Sequence, residues 1–224
     1  MLAITASSVA TSQEAAPSVL AKMAETYAGL RSYQDSGSVR YGILGTEQEV
    51  TFKTAFVRPN GFRFEWISHH PFAPLKFVKT RSVVRFDGAK AYTWNKFYLK
   101  EATERQDESL SLAVAGATGV SAGSAHRIAT LLIPDLWKDG AFGSSMSKLG
   151  DAKVVGTEVL DGVDCYRVSG SHRNERMDLW IGRSDYLLRK VEYQLMGSKN
   201  VELHQSLVVN QEVSPALFAS ADAK

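Results

Sequence analysis

Two hydrophobic periods divide this chain. Residues 17–30, PSVLAKMAETYAGL, place Val19, Leu20, Met23, Tyr27 and Leu30 three and four apart behind a Pro-Ser start, which predicts an amphipathic helix with one apolar stripe. From Tyr33 the period becomes two. Val39, Tyr41 and Ile43, then Val50, Phe52, Thr54 and Phe56, then Phe62, Phe64 and Trp66 each alternate with a largely polar face, as consecutive half-buried strands do. Turn signals at Gly45-Thr46, at RPNG (58–61) and at Asp87-Gly88, between RSVVRF and AKAYTWN, make an antiparallel meander the simplest connection. After FYLKEATERQDES the alternation stops, and it resumes in KVVGTEVL, VDCYRVSG, ERMDLWIG, YLLRKVEYQL and VELHQSLVV, with a second Asp-Gly pair at 161–162.

The interruption is unusual in composition. SLSLAVAGATGVSAG, residues 109–123, has no charge and no aromatic ring, and HRIATLLIPDLW follows soon after. The pattern predicts one or two short helices, or a loop and a helix, ended by Pro134. About ten to eleven antiparallel strands in a row make a sheet too wide to stay flat, and its curl leaves a concave apolar surface that something must cover. The fold class expected is therefore α+β: an antiparallel, unclosed half β-barrel with a helical lid over a hydrophobic cavity. With no fixed repeat and no low-complexity linker, residues 17–219 read as a single domain. Residues 1–16 read as a signal remnant or a disordered start, and 220–224 as a disordered tail.

The inward-facing rings define the expected ligand cavity: Phe52, Phe56, Phe62, Phe64, Trp66, Phe77, Tyr92, Trp94 and Tyr193, with Trp66 and Trp94 first among its walls. For each ring taken alone, ordinary inner-face packing is the simpler explanation. The expected lid places Leu110, Leu112, Val114, Val120, Ile128, Leu131 and Leu132 into the concavity. Its alanines and glycines bury little area at about 25 cal/mol per Å² and raise the entropy cost of ordering, so such a cover is held weakly and can open. The same composition also fits a plain core helix closing a dry interior. Arg189 shares a face with Leu187, Val191 and Tyr193. A rim charge there can snorkel, pair with an acid, or hold a lid carbonyl or a lipid head group.

Composition narrows the function classes. The 224 residues carry 26 Lys+Arg against 24 Asp+Glu, a net charge of +2 scattered along the chain, which gives no basic face for nucleic acid. The one cysteine, Cys165, excludes an intramolecular disulfide and reads as a small buried hydrophobe in its strand. No window reaches the roughly 18 apolar residues of a membrane span. MLAITASSVA is small and apolar but lacks the basic start and full apolar core of a signal sequence.

Catalytic chemistry finds no foothold. His69 and His70 are adjacent and read as a solvated loop; His126 opens a helix, His172 lies in the polar turn SHRNER, and His204 reads as outward-facing, so no metal pair is spaced along the chain. Glu101, Glu104, Asp107 and Glu108 read as a solvated acidic run. Phosphate loops, nucleophile elbows and dinucleotide fingerprints are missing from the sequence.

Four stretches resemble the LolA/LolB-like superfamily of periplasmic lipoprotein carriers: LAKMAETYAGLRSYQDSGSVRY, then GTEVLDGVDCYRVSG with MDLWIGRSDYLLRKVEY, and the closing NQEVSPALF. The strongest likeness is the hairpin carrying Trp180, Ile181, Leu187, Leu188 and Arg189, and the whole spans about Ser18 to Phe218. The resemblance implies an unclosed barrel whose lidded cavity takes acyl chains. Two departures stand out. The N-terminal region has no cysteine to lipidate, which disfavours a membrane-anchored member, and Gly182 stands where the family has a turn acid, with Asp185 following. The expectation is a soluble, exported, periplasmic, monomeric and non-catalytic carrier without a cofactor. Its partners would be a lipid or an acylated lipoprotein and a membrane-bound protein that loads or receives it. The alternative is an envelope interaction or sensing module whose concave face binds a protein segment.

Overall fold

A computed structural model describes residues 14–43, 45–59, 61–69, 79–98, 100–137, 145–172, 175–195 and 197–222. Helix α1 (Ala16–Gly29) opens the fold, with Pro17 in its first turn where no amide donor is needed, and buries Ala16, Val19, Leu20, Met23 and Tyr27 on one stripe. Six strands follow: β1 (Ser32–Ile43), β2 (Thr46–Val57), β3 (Gly61–His69), β4 (Lys79–Phe86), β5 (Ala91–Lys96) and β6 (Thr103–Asp107). Helices α2 (Leu110–Val120) and α3 (Ser124–Leu132) interrupt them. Strands β7 (Gly150–Leu160), β8 (Val163–His172), β9 (Glu175–Gly182), β10 (Leu188–Leu195) and β11 (Ser198–Val209) complete the sheet before a short helix α4 (Ala216–Ala219).

All eleven strands form one antiparallel, unclosed sheet in the order β6-β5-β4-β3-β2-β1-β11-β10-β9-β8-β7. Two meanders thus meet where the first strand pairs with the last. Tight turns fix their registers: Asp161 and Gly162 both take positive φ, 48° and 80°, between β7 and β8, and the Asp87 carboxylate accepts the amides of Ala89 and Lys90 at 2.9 Å between β4 and β5. This architecture is the expected half-barrel.

The strand order explains the mid-chain cover. β6 and β7 are opposite edges of the sheet, so the connection between them must traverse its whole width. It does so as α2 and α3 on the face where α1 also packs. α2 lies over β4, β5 and β6, α3 beside it, and α1 toward β7. On this face Val39, Phe52, Phe56, Phe62, Phe64, Val84, Val168, Leu179 and Val191 join the helices in one apolar core.

The opposite face is covered as well. The segment after β11 folds back over it, burying Val213 and Phe218 against Ala55, and Ala221 against Val83 and Trp94. Arg63 donates to the carbonyls of Leu217, Ser220 and Ala221, and Arg81 to that of Ala221. The expected disordered tail is corrected here for residues 220–222: the carbonyls of Ser220 and Ala221 are bound by guanidinium groups, the Asp222 carboxylate pairs with Arg81, and Ala221 is buried. Residues 1–13 and 223–224 lie outside the described residues.

Candidate ligand cavity and its lid

Five of the nine expected cavity rings line the floor under the helices. Phe52, Phe56, Phe62, Phe64 and Trp66 are each 1–3 % exposed. Their register makes them neighbours: Phe52 pairs with Trp66, Thr54 with Phe64 and Phe56 with Phe62, and the ring centroids of Phe52 and Phe64 lie 5.7 Å apart, those of Phe64 and Trp66 5.6 Å. Tyr193 closes the far side of the same face. Phe77 lies outside the described residues.

Tyr92 and Trp94 are corrections. The Asp87–Lys90 turn pairs Phe86 with Ala91, which sets Thr93 beside inward-facing Val84 and turns Tyr92 and Trp94 to the convex face. There Tyr92 lies under the Arg85 guanidinium at 3.9 Å and Trp94 under that of Arg81 at 5.1 Å. A cavity of about 910 Å³ is also on the convex side, between the C-terminal segment and the outer residues of β1 to β4. On the concave side the described floor is covered by the chain's own helices.

The expected lid splits into two unlike parts. In α3 every residue but His126 is buried, and Ile128, Leu131 and Leu132 belong to the core. In α2 only Ala113, Val114 and Ala117 are buried. Leu112 and Val120 were expected inside, yet they are 41 % and 60 % exposed, because the 3.6-residue period puts them on the face opposite Val114. Leu110 packs partly against the core. The Ser109 hydroxyl caps α2 by accepting the amide of Leu112, and the Thr118 hydroxyl donates inward to the carbonyl of Val114.

The turn from α2 to α3 rests on a buried polar cluster that the sequence pattern did not reveal. Arg127 of α3 contacts Glu202 of β11, and its guanidinium lies 4.2 Å from the Tyr193 ring centre. The Tyr193 hydroxyl donates to the carbonyl of Ala122 at 2.7 Å, inside the turn itself. His204 stands between two carboxylates, with Nδ1 at 2.8 Å from Asp35 and Nε2 at 3.1 Å from Glu202, and the Tyr33 hydroxyl donates to Asp35 at 2.7 Å. The side chains of Asp35, Glu202 and His204 are inaccessible to solvent.

Burial opposes the charge on His204, but its contacts with Asp35 and Glu202 outweigh it and push the imidazole pKa up to about 9. Burial likewise works against the Glu202 carboxylate, and Arg127 and His204 overcome it and hold its pKa below the usual value. Two cations thus balance two anions in the interior. The outward placement expected for His204 is corrected. Asn200, Glu202 and His204 are the buried positions of β11, while Val201 and Leu203 face the other way.

The remaining expectations fall as follows. Arg189 pairs with Asp185 in the turn between β9 and β10, the second of its three possible roles. His172 is buried at the end of β8 rather than solvated in a turn, His126 stacks on Trp137 with ring centres 5.3 Å apart, and His70 lies outside the described residues. Cys165 is buried, its Sγ 3.4 Å from the Val163 carbonyl, and burial raises its thiol pKa. Among the described residues no three His, Cys, Asp or Glu side chains are placed to hold a metal ion.

No family model and no curated protein matches this chain. Solved structures do. LprF from Mycobacterium bovis is 12 % identical, covering 89 % of this chain and 94 % of its own, with a TM-score of 0.51. The lipoprotein LppX from Mycobacterium tuberculosis is 14 % identical over 89 % and 97 %, at 0.49. A LolA superfamily protein from Nitrosomonas europaea is 11 % identical over 92 % and 98 %, at 0.34. At such identities the likeness concerns the fold alone. This chain shares the fold of LprF, one unclosed antiparallel sheet around a few helices.

Proposed function

We propose that this chain is an exported, non-catalytic carrier that takes the acyl chain of a lipid or lipoprotein between its aromatic floor and α2. The observation that carries this reading is the mismatch between floor and cover: an uncharged helix held by two alanines and one valine lies over β4 to β6, beside the buried aromatic rings of β2 and β3. Burying those three side chains contributes about 3–5 kcal/mol, whereas an acyl chain of a dozen methylenes contributes about 10 kcal/mol relative to water at about 0.8 kcal/mol each. A ligand can therefore replace α2 on the floor at a net gain. α3 stays as a fixed post, because Arg127 and Glu202 bind it to β11, and the turn at Ala122 is the hinge. A membrane-bound protein would load or receive the ligand.

Extraction of the purified protein into organic solvent, followed by mass spectrometry, tests the reading. Acyl lipid at a reproducible fraction of one per protein is expected, with the fraction lowered at least severalfold by replacing Phe64 with a polar residue of similar size, F64Q, in a folded variant. Protein free of lipid that also fails to take up a fluorescent fatty acid would overturn it. Capture of a protein segment on the concave face in place of lipid would favour an interaction module.

A further inference from the structure

We propose that the Phe97–Lys100 turn, at the same end of the strands as the α2–α3 hinge, forms a docking surface for an anionic lipid bilayer. The purpose of this surface rests on the carrier reading, but its chemistry stands on separate residues. Phe97 and Tyr98 follow β5 and are 48 % and 49 % exposed, in a turn closed by the Lys100 amide donating to the Phe97 carbonyl at 3.2 Å. Lys96 and Lys100 flank them in the chain and Lys79 starts the neighbouring strand β4 at the same end, all exposed and without an ion pair among the described residues, with Glu101 the adjacent acid. Two exposed rings among three free ammonium groups match the boundary zone of a bilayer, where aromatic rings settle at head-group depth and lysines reach the phosphates.

The hinge opens at this same end. β5 runs from Ala91, level with Asp107, to Lys96, and α2 starts just after Asp107 and ends in the turn seated on Tyr193, so the α2 terminus and Phe97 lie at the same end of the strands. The exposed face of α2 continues the apolar character: Leu112, Gly116, Gly119 and Val120 lie four, three and one apart, and Thr118 spends its hydroxyl within the helix. Such a face offers a protein partner no polar side chain to read, while an apolar continuum needs none. Contact with the bilayer would bring the moving edge of the cover to the source of the ligand.

Co-sedimentation of the full chain with vesicles tests this. Vesicles of phosphatidylcholine with one third phosphatidylglycerol should bind the protein at low salt, vesicles of phosphatidylcholine alone at least tenfold less, and binding should fall steeply as salt rises. F97S/Y98S and K96Q/K100Q should each weaken binding about tenfold or more while leaving co-purified lipid and the melting temperature unchanged. Equal binding to both vesicle types, or full binding by both variants, would overturn the proposal. So would a failure of the wild-type chain to sediment while a membrane protein captures the Phe97 turn. Loss of co-purified lipid with vesicle binding intact would count against the carrier reading alone.

Discussion

At the scale of residues, the decisive feature is four charges buried at the junction of α3 and β11. A buried ion pair is costly to assemble, and removing one partner leaves the other uncompensated, which costs about 3–5 kcal/mol. E202A should therefore destabilise the fold by about that much in urea denaturation, and R127M/E202M by clearly less than the sum of the two single changes. The pH dependence has a definite sign. With the His204 pKa raised to about 9, its contribution is complete below the unfolded value of 6.5 and is lost as pH rises through 9; Glu202, depressed, contributes above the usual carboxylate range and loses this as pH falls. Wild-type stability should decline between pH 6.5 and 9, and H204Q should flatten that decline; an unchanged slope would show that His204 is not the titrating group. None of this cluster was legible beforehand. In VELHQ the polar residues look like a wet face, and only mutual pairing lets Glu202 and His204 turn inward while Val201 and Leu203 turn out. The bulge at Ser206, φ 51°, then switches the face so that Leu207 and Val209 meet the core.

At the scale of elements, period-two alternation marked ten of the eleven strands, and the stripe of α1 appeared with its burial correct, because local patterning and tertiary burial agree there. β5 shows where this fails. Tyr92 and Trp94 alternate as an inner face should, yet the turn register and the C-terminal cover make the convex side their apolar surface. Parity within a strand is visible in sequence; which parity points inward depends on residues more than a hundred positions away. The division of the cover into a deep α3 and a shallow α2 carries its own expectation. Gly116 and Gly119 have nothing within 4 Å of an added Cβ, so G116A/G119A should stabilise α2 by about 1 kcal/mol per site. Hydrogen exchange should show α2 amides opening faster than those of α3 in the wild type and slowing severalfold in the variant. If α2 exchanged only with global unfolding, it would not be an independent cover.

At the scale of the whole molecule, the pairing of first and last strands places β6 and β7 at opposite edges, and the chain between them is thereby committed to crossing the concave face. The width of the sheet and the uncharged composition of residues 109–123 anticipated a cover, whereas the strap over the convex face arises from Arg63 and Arg81 binding backbone carbonyls, a pairing that side-chain patterns do not encode. The central claim is that an acyl chain displaces α2 and lies on the floor. A fatty acid bearing a nitroxide near its chain end, added to protein with its four tryptophan indoles assigned by NMR, tests this directly. The account expects the indole signal of buried Trp66 to broaden while that of Trp94, on the opposite face, stays sharp. Broadening of Trp94 with Trp66 untouched would place the ligand outside the half-barrel and contradict it.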